Sequence, residues 1–449
     1  MDFEPPALQV AFQQTLNSSA SPVHHILTGS FRSISLFLLA FSPVQLTIDL
    51  VQTIPGFGPH QYIGLGPRTH GSEDVRYAYT TSWALPPQLQ SWAIQQQPEG
   101  LRVRSVDSVH ITATSSYITI PPPYSHIYSA GGPSAQVHAL NSSGFGPHQQ
   151  EIYFVRQDEW ESADKTRKAL RYGSHGIEFA FPPSGPPLAF IPVLGGSTIE
   201  VYKRAEDGSL THIDTSPAPQ RAGEVEDDGP RHVKVHPNGR VLYCVTEHSN
   251  YLDVYTITPP GGRAPVLTYV ASRSLIPLHL RAERNGHAGA DGARPTYRGD
   301  TLLLAPSTPE QPAPQSIFAT TRGGEGESTP GWVGVWRLDE EGMFAGDIEN
   351  NPYLVERYEA KTSGGKAHAL DVRPKEGDAD GAMWVLLTDD SPPHPGVRVL
   401  EWDGWLWRGG GTRLREVAAW PKPGFYSDEP EGEGEPERMQ GGSHAVWLD

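Results

Sequence analysis

PRHVKVHPNGRVLYCVTEHSNYLDVYTI, residues 230–257, holds most of what decides the fold. A polar opener, Pro230-Arg231, leads into the short run His232-Val233-Lys234-Val235. His236-Pro237-Asn238-Gly239 then reads as a hairpin turn, because Asn-Gly supplies the positive φ angles a tight turn needs. Val241 to Val245 is an unbroken apolar run, and Tyr251 to Ile257 alternates in the manner of a strand. Val266 to Ser272 adds a fourth run. Four short strands within roughly 40 residues make one small antiparallel sheet. Repetition of such a unit is the signature of a propeller.

The unit recurs in both directions. Comparable segments lie near 24–54, 60–105, 108–158, 173–217, 297–357 and 367–422, which with 231–272 makes seven. The opening is plainest at Ser174-His175-Gly176, Pro230-Arg231-His232, Tyr297-Arg298-Gly299-Asp300, Ala367-His368-Ala369 and Ser443-His444-Ala445. The last of these has no unit of its own. A lone strand at 445–448 closes a ring by pairing into the first blade, near His25 to Ile54, so that no sheet edge is left open. The expected architecture is all-β: a single seven-bladed β-propeller over 23–449 after a loose leader at 1–22. Flexible insertions poor in apolar residues are expected near 281–295, within 308–330 (308–315 and 323–330) and at 427–442. The best helical pattern is short, Glu159 to Leu170.

Composition agrees with this reading and excludes others. Glycine (47) and proline (43) make up a fifth of the 449 residues and punctuate short apolar runs, so they mark turns. A formal charge of −17 gives no general field for nucleic acid or an anionic membrane; an anionic ligand would need a local cationic cluster. The most apolar stretch, Ile34 to Phe41, is too short to span a bilayer and reads as a buried strand. A single cysteine, Cys244, leaves no disulfide framework, which fits a cytoplasmic protein.

The first strand of each propeller blade lines the central channel, so the polar openers His175, Arg231, Arg298, His368 and His444 should converge at one mouth. Arginine binds carboxylates through paired hydrogen bonds. Such residues also serve to bond neighbouring blades or water, and Glu247 could simply neutralise Arg231. His232, His236 and His248 are spread over a strand, a turn and a loop, without metal-ligand spacing, so no metal is expected. No phosphate-cradling glycine loop or Gly-x-Ser-x-Gly elbow occurs. Cys244 reads as an inert core residue.

The ordered succession of motifs resembles the lactonase seven-bladed propeller family, and within it the fungal carboxy-cis,cis-muconate cyclases. It runs from His24-His25-Ile26-Leu27-Thr28-Gly29 through Ser174-His175-Gly176, the 229–257 segment, Leu275-Ile276-Pro277 and Tyr297-Arg298-Gly299-Asp300. It continues through Phe318-Ala319-Thr320-Thr321-Arg322, Thr362-Ser363-Gly364-Gly365, Thr388-Asp389-Asp390 and Pro421-Lys422-Pro423-Gly424-Phe425 to Ala445-Val446-Trp447. The resemblance implies a cofactor-free cycloisomerase that closes a small tricarboxylate, 3-carboxy-cis,cis-muconate, to a lactone in protocatechuate (β-ketoadipate) catabolism. It implies His175, Arg231, Glu247 and Arg298 as the catalytic set. Arg231, Arg298, His368, Lys366, His444 and His25 are the substrate-binding candidates. His175 is the preferred proton donor and Glu247 its partner or the positioner of Arg231, although the sequence does not separate them. Departures from the family pattern surround the pocket: Gly365-Lys366 with His368 two places on, His444 for an asparagine, Gly229 for a histidine, and a third blade reduced to Val109-His110-Ile111-Thr112 at its start. Two other readings stay open, a 6-phosphogluconolactonase-like lactonase and a non-enzymatic binding platform. Self-association as a homo-oligomer is left open as well.

Overall fold

The computed structural model describes residues 22–68, 75–142, 144–219, 221, 227–262, 264–285, 297–308, 311–324, 329–346, 351, 353–377, 381–392, 394–406, 413–422 and 435–449. The expected leader lies outside the described residues except for Pro22. Seven four-stranded antiparallel sheets form the ring. The first combines His24–Thr28, Leu36–Ser42 and Thr47–Ile54 with Ala445–Trp447. Ala445–Trp447 is the innermost strand of that sheet and pairs Trp447 with Ile26 and Ala445 with Thr28, so the ring closes as the sequence predicts.

The apolar runs are continuous because each blade is buried on both faces. In Leu36–Ser42, Leu36 and Leu38 pack against the second blade through Ile63, Ala78 and Trp92, whereas Phe37, Leu39 and Phe41 pack against the seventh through Trp384, Leu386 and Val399. Val241–Thr246 does the same: Leu242 and Cys244 face the fourth blade, and Val241, Tyr243 and Val245 face the sixth. Burial pushes the Cys244 thiol well above its ordinary pKa, so it is an inert core residue. The hairpin after Pro230–Val235 forms where expected, but only Gly239 takes a positive φ, 69°. Asn238 acts through its side chain, whose Oδ1 accepts from Arg240 N at 2.9 Å.

Three boundaries differ from the sequence reading. Val109 and His110 end the outer strand of the second blade, Gly100–His110; the third blade opens instead on the three-residue strand Tyr117–Thr119. Its small start shows no clear alternation, which is why the sequence misplaces it. The pattern at Glu159 to Leu170 yields one 3-10 turn, Arg167–Arg171, while an α-helix, Leu278–Asn285, runs into the segment read as a loop from Arg281. The buried Arg281 guanidinium donates to the carbonyls of Ser249 and Asn250 and lies 3.9 Å from the Tyr251 ring centroid. The last part of the 427–442 insertion is pinned: Glu437 accepts from the backbone of Ile34 and Ser35, each at 2.8 Å, and Met439 is buried.

Buried histidines make the ring acid-sensitive. Burial lowers the His60 pKa to about 4, against a raising hydrogen bond from Gln90, and lowers that of His444 to about 3. The unfolded chain takes these protons near pH 6.5, whereas the folded chain refuses them until the lower pKa values are reached. Stability is therefore full above pH 6.5 and falls as pH drops toward 4, by about 1.4 kcal/mol per pH unit for each such group. The urea midpoint is expected to fall between pH 7 and pH 5, and His60→Gln should flatten that fall. A midpoint independent of pH over this range would contradict the assignment.

Candidate active site

Two irregularities in the inner strands build the site. In Pro230–Val235 the register with Val241–Thr246 slips between Pro230 and His232, so Arg231 is the extra residue of a bulge. In Tyr297–Leu304 a second slip falls between Gly299 and Leu302 and releases Asp300 from the ladder. Bulges re-aim side chains, and here they bring Arg231 and Asp300 together: Arg231 Nη2 lies 2.6 Å from Asp300 Oδ1, and Nη1 donates to the Asp300 carbonyl at 2.6 Å. Gly299 lets the two blades approach, since a Cβ there would meet the Thr246 carbonyl at 2.1 Å. Its N–H donates to the Glu247 carbonyl at 3.0 Å, which fixes Glu247 at the rim.

Glu247 then joins three guanidinium groups. Its Oε2 accepts from Arg231 Nε at 3.0 Å, and its Oε1 lies 3.5 Å from Arg298 Nη1 and 3.3 Å from Arg322 Nη2. Arg298 and Arg322 are direct cross-strand partners. Like charges placed so repel, and the carboxylate between them makes the arrangement tolerable. Burial pulls the Arg231 pKa down, with Asp300 opposing, and it ends below its ordinary value. For Asp300 burial opposes ionisation, yet Arg231 and Arg322 hold its carboxyl below the usual carboxylate range.

The cleft above these groups has a volume of about 320 Å³. His175, Arg231, Glu247, Arg298 and Lys366 line it together. His175 is buried, its Nδ1 has no hydrogen-bond partner, and burial followed by the charge of Arg231 sets its pKa well below 6.5. Lys366 is partly exposed and sits 3.5 Å from Asp390. Phe31 and Trp83, with ring centroids 4.9 Å apart, form an apolar side.

Three sequence candidates lie elsewhere. His368 is fully buried behind the wall; its N–H donates to Asp300 Oδ2 at 2.6 Å and its Nδ1 is 3.0 Å from the Thr321 carbonyl. It therefore supports the site without lining it. His444 faces the axial channel further along the inner strands, stacked on Tyr62 at 4.1 Å in a cavity shared with Lys234, Glu178 and Asp371. His25 belongs to the second strand of its blade, at the end opposite Gly29 and His444, beside Asp449 at 3.6 Å. Ring closure by the C-terminal strand puts His25 outside the inner layer.

Sequence reasoning missed Arg322, Asp300 and the cluster Arg167, Lys168 and Arg171. Arg322 ends a second strand, not a first, and only the cross-strand register with Arg298 betrays it. The three cations at 167–171 come from a connection between blades, where the strand repeat says nothing. Among the described residues, seven cationic side chains and one carboxylate, Glu247, line the cleft. No helix of the described residues is long and apolar enough to cross a membrane.

Comparison with known proteins points the same way. The family model for the seven-bladed β-propeller lactonases matches residues 69–290. The chain is 28% identical over 372 residues to muconate cycloisomerase 1 of Cutaneotrichosporon cutaneum, covering 82% of this chain and 87% of that protein. It is 26% identical over 257 residues to the carboxy-cis,cis-muconate cyclase of Neurospora crassa, 57% of this chain and 55% of the other. It is also 26% identical over 206 residues to the 6-phosphogluconolactonase of Serratia proteamaculans, 44% of this chain and 57% of that protein. Among solved structures, the periplasmic gluconolactonase of Pseudomonas aeruginosa shares the fold with a TM-score of 0.58 at 16% identity, over 89% of this chain and 97% of that one. The sheet topology makes the chain a seven-bladed β-propeller, and over residues 69–290 it is similar to the seven-bladed β-propeller lactonases.

Proposed function

We propose that the cleft binds 3-carboxy-cis,cis-muconate and closes it to a carboxymuconolactone. The observation that carries this reading is the lining itself: seven cations and one carboxylate gathered in a chain whose net charge is −17. The muconate-cyclising relatives support it. In the reaction one carboxylate oxygen bonds to an alkene carbon. The π pair moves toward the carbon next to another carboxylate, and that carbon takes a proton. The trianion and one proton become a dianionic lactone. Charge builds on the carboxylate that becomes enolate-like, where a guanidinium is worth most.

Arg298 and Arg322 are suited to hold that carboxylate, and Arg231 the buried side of the substrate. Glu247 accepts from Arg231 through Oε2 and is ion-paired to Arg298 and Arg322 through Oε1, which suits a positioning residue and favours His175 as the donor. His175 is neutral in the free protein at neutral pH, by burial and the Arg231 charge. A bound trianion opposes that field and favours the imidazolium, so the proton arrives with the substrate.

A lactonase acting on a phosphorylated sugar lactone is the second reading, since a phosphate suits the same arginines and a 6-phosphogluconolactonase is among the relatives. The direction of proton exchange separates the two. Cyclisation takes up a proton per turnover and removes the diene absorbance, whereas lactone hydrolysis releases a proton. In weak buffer with a pH indicator, alkalinisation on adding 3-carboxy-cis,cis-muconate is the expected result. Inert muconate with acidification on 6-phosphogluconolactone would replace the proposal with the second reading. Turnover of neither would favour a binding platform.

A further inference from the structure

We infer that the short turn Arg167–Arg171 is the specificity element of the cleft, a cationic overhang that selects a tricarboxylate over a dicarboxylate. This rests on the reading of the cleft as a polycarboxylate site. The propeller wall alone does not carry the charge a trianion needs. Arg231, Arg298 and Arg322 face the two carboxylates of Glu247 and Asp300, which leaves one net positive charge. Lys366 shares Asp390 with Arg32, which lies 3.0 Å from it. The remaining positive charge comes from Arg167, Lys168 and Arg171, which line the same cleft, are exposed and carry no ion pair among the described residues.

The overhang is rigidly seated although it lies outside the repeat. Thr166 accepts from Lys168 N through its hydroxyl, and Ala169 and Leu170 are buried beneath the turn. Tyr172 N and Gly173 N both donate to the Ala169 carbonyl. Lys165 accepts from Thr114 N at 2.9 Å, paired backbone bonds between Gly132 and Ser174 tie the segment to the third blade, and the Gly173 and Tyr172 carbonyls accept from Leu194 N and Gly195 N of the fourth. Arg167 lies over the Trp83 ring at 5.7 Å, on the apolar side of the cleft. Three cations on an anchored turn thus share the cleft with the arginine wall. A planar polyanion between them would set one carboxylate on the wall and direct the others to the overhang.

The test compares wild type with the combined variant Arg167→Gln, Lys168→Gln and Arg171→Gln, and with the charge-keeping Arg171→Lys. The readouts are kcat/KM on 3-carboxy-cis,cis-muconate and on cis,cis-muconate. Exposed ion pairs are individually weak, so the three together are expected to cost the tricarboxylate about tenfold or more beyond any loss on the dicarboxylate, mainly in KM. Arg171→Lys should retain the discrimination. Equal losses on both substrates, or no loss on either, would overturn the inference. Binding of trimellitate and terephthalate by calorimetry decides the matter independently of turnover. If wild type turns over neither muconate, the proposed reaction fails. The selectivity inference then stands or falls on whether wild type prefers trimellitate and the glutamine variant does not.

Discussion

Arg298→Ala is expected to lower kcat/KM on 3-carboxy-cis,cis-muconate by about 10²–10³-fold while leaving the folded protein intact. The two halves of that expectation come from different features. Arg298 is the most accessible guanidinium of the wall, with a side chain 42% exposed, and its one ion pair in the wall is with Glu247 at 3.5 Å. Removing it leaves Glu247 still bound to Arg231 and Arg322, so no carboxylate is abandoned in the interior. In the proposed reaction, what is lost is a donor to the carboxylate on which charge grows. The measurement pairs steady-state kinetics with a urea titration. An unchanged kcat/KM in a folded variant would remove Arg298 from the site and weaken the whole electrostatic scheme.

Arg231→Met should behave in the opposite way, with loss of stability at least as evident as loss of activity. Its guanidinium is buried and satisfies Glu247 on one side and Asp300 on the other, at 3.0 and 2.6 Å. Asp300 in turn holds the His368 N–H and approaches Arg322. Breaking a buried network by removing one member strands its partners, at about 3–5 kcal/mol. The urea midpoint should fall markedly, and the loss should shrink at low pH, where Asp300 can take a proton. A midpoint equal to wild type would show that the network contributes little and that Arg231 is an ordinary surface-like cation. The contrast between Arg298 and Arg231 is itself diagnostic: an accessible guanidinium whose loss should show in turnover, and a buried one whose loss should show in stability as well.

The blade repeat was legible because it is local. A hairpin at His236–Gly239, apolar runs such as Leu36–Ser42 buried on both faces, and an orphan strand at 445–447 each leave a mark within a few residues of the chain. The openers His175, Arg231 and Arg298 were legible for the same reason: they sit at equivalent points of the repeat. Where the repeat was short, at Tyr117–Thr119, or interrupted, at Leu278–Asn285, the reading slipped.

From sequence alone came the all-β class, the seven units, the closing strand and the core of the cleft, since alternation and turn chemistry are properties of neighbouring residues. Register and ring geometry decided the rest. A bulge, invisible as composition, turns Arg231 and Asp300 toward each other. Pairing across strands puts Arg322 beside Arg298, and the closing strand displaces His25 from the inner layer while His444 turns into the channel. The cations at 167–171 share the cleft with the wall because a connection between two blades brings them to it. Long-range electrostatics depends on distance in space, and distance along the chain does not encode it.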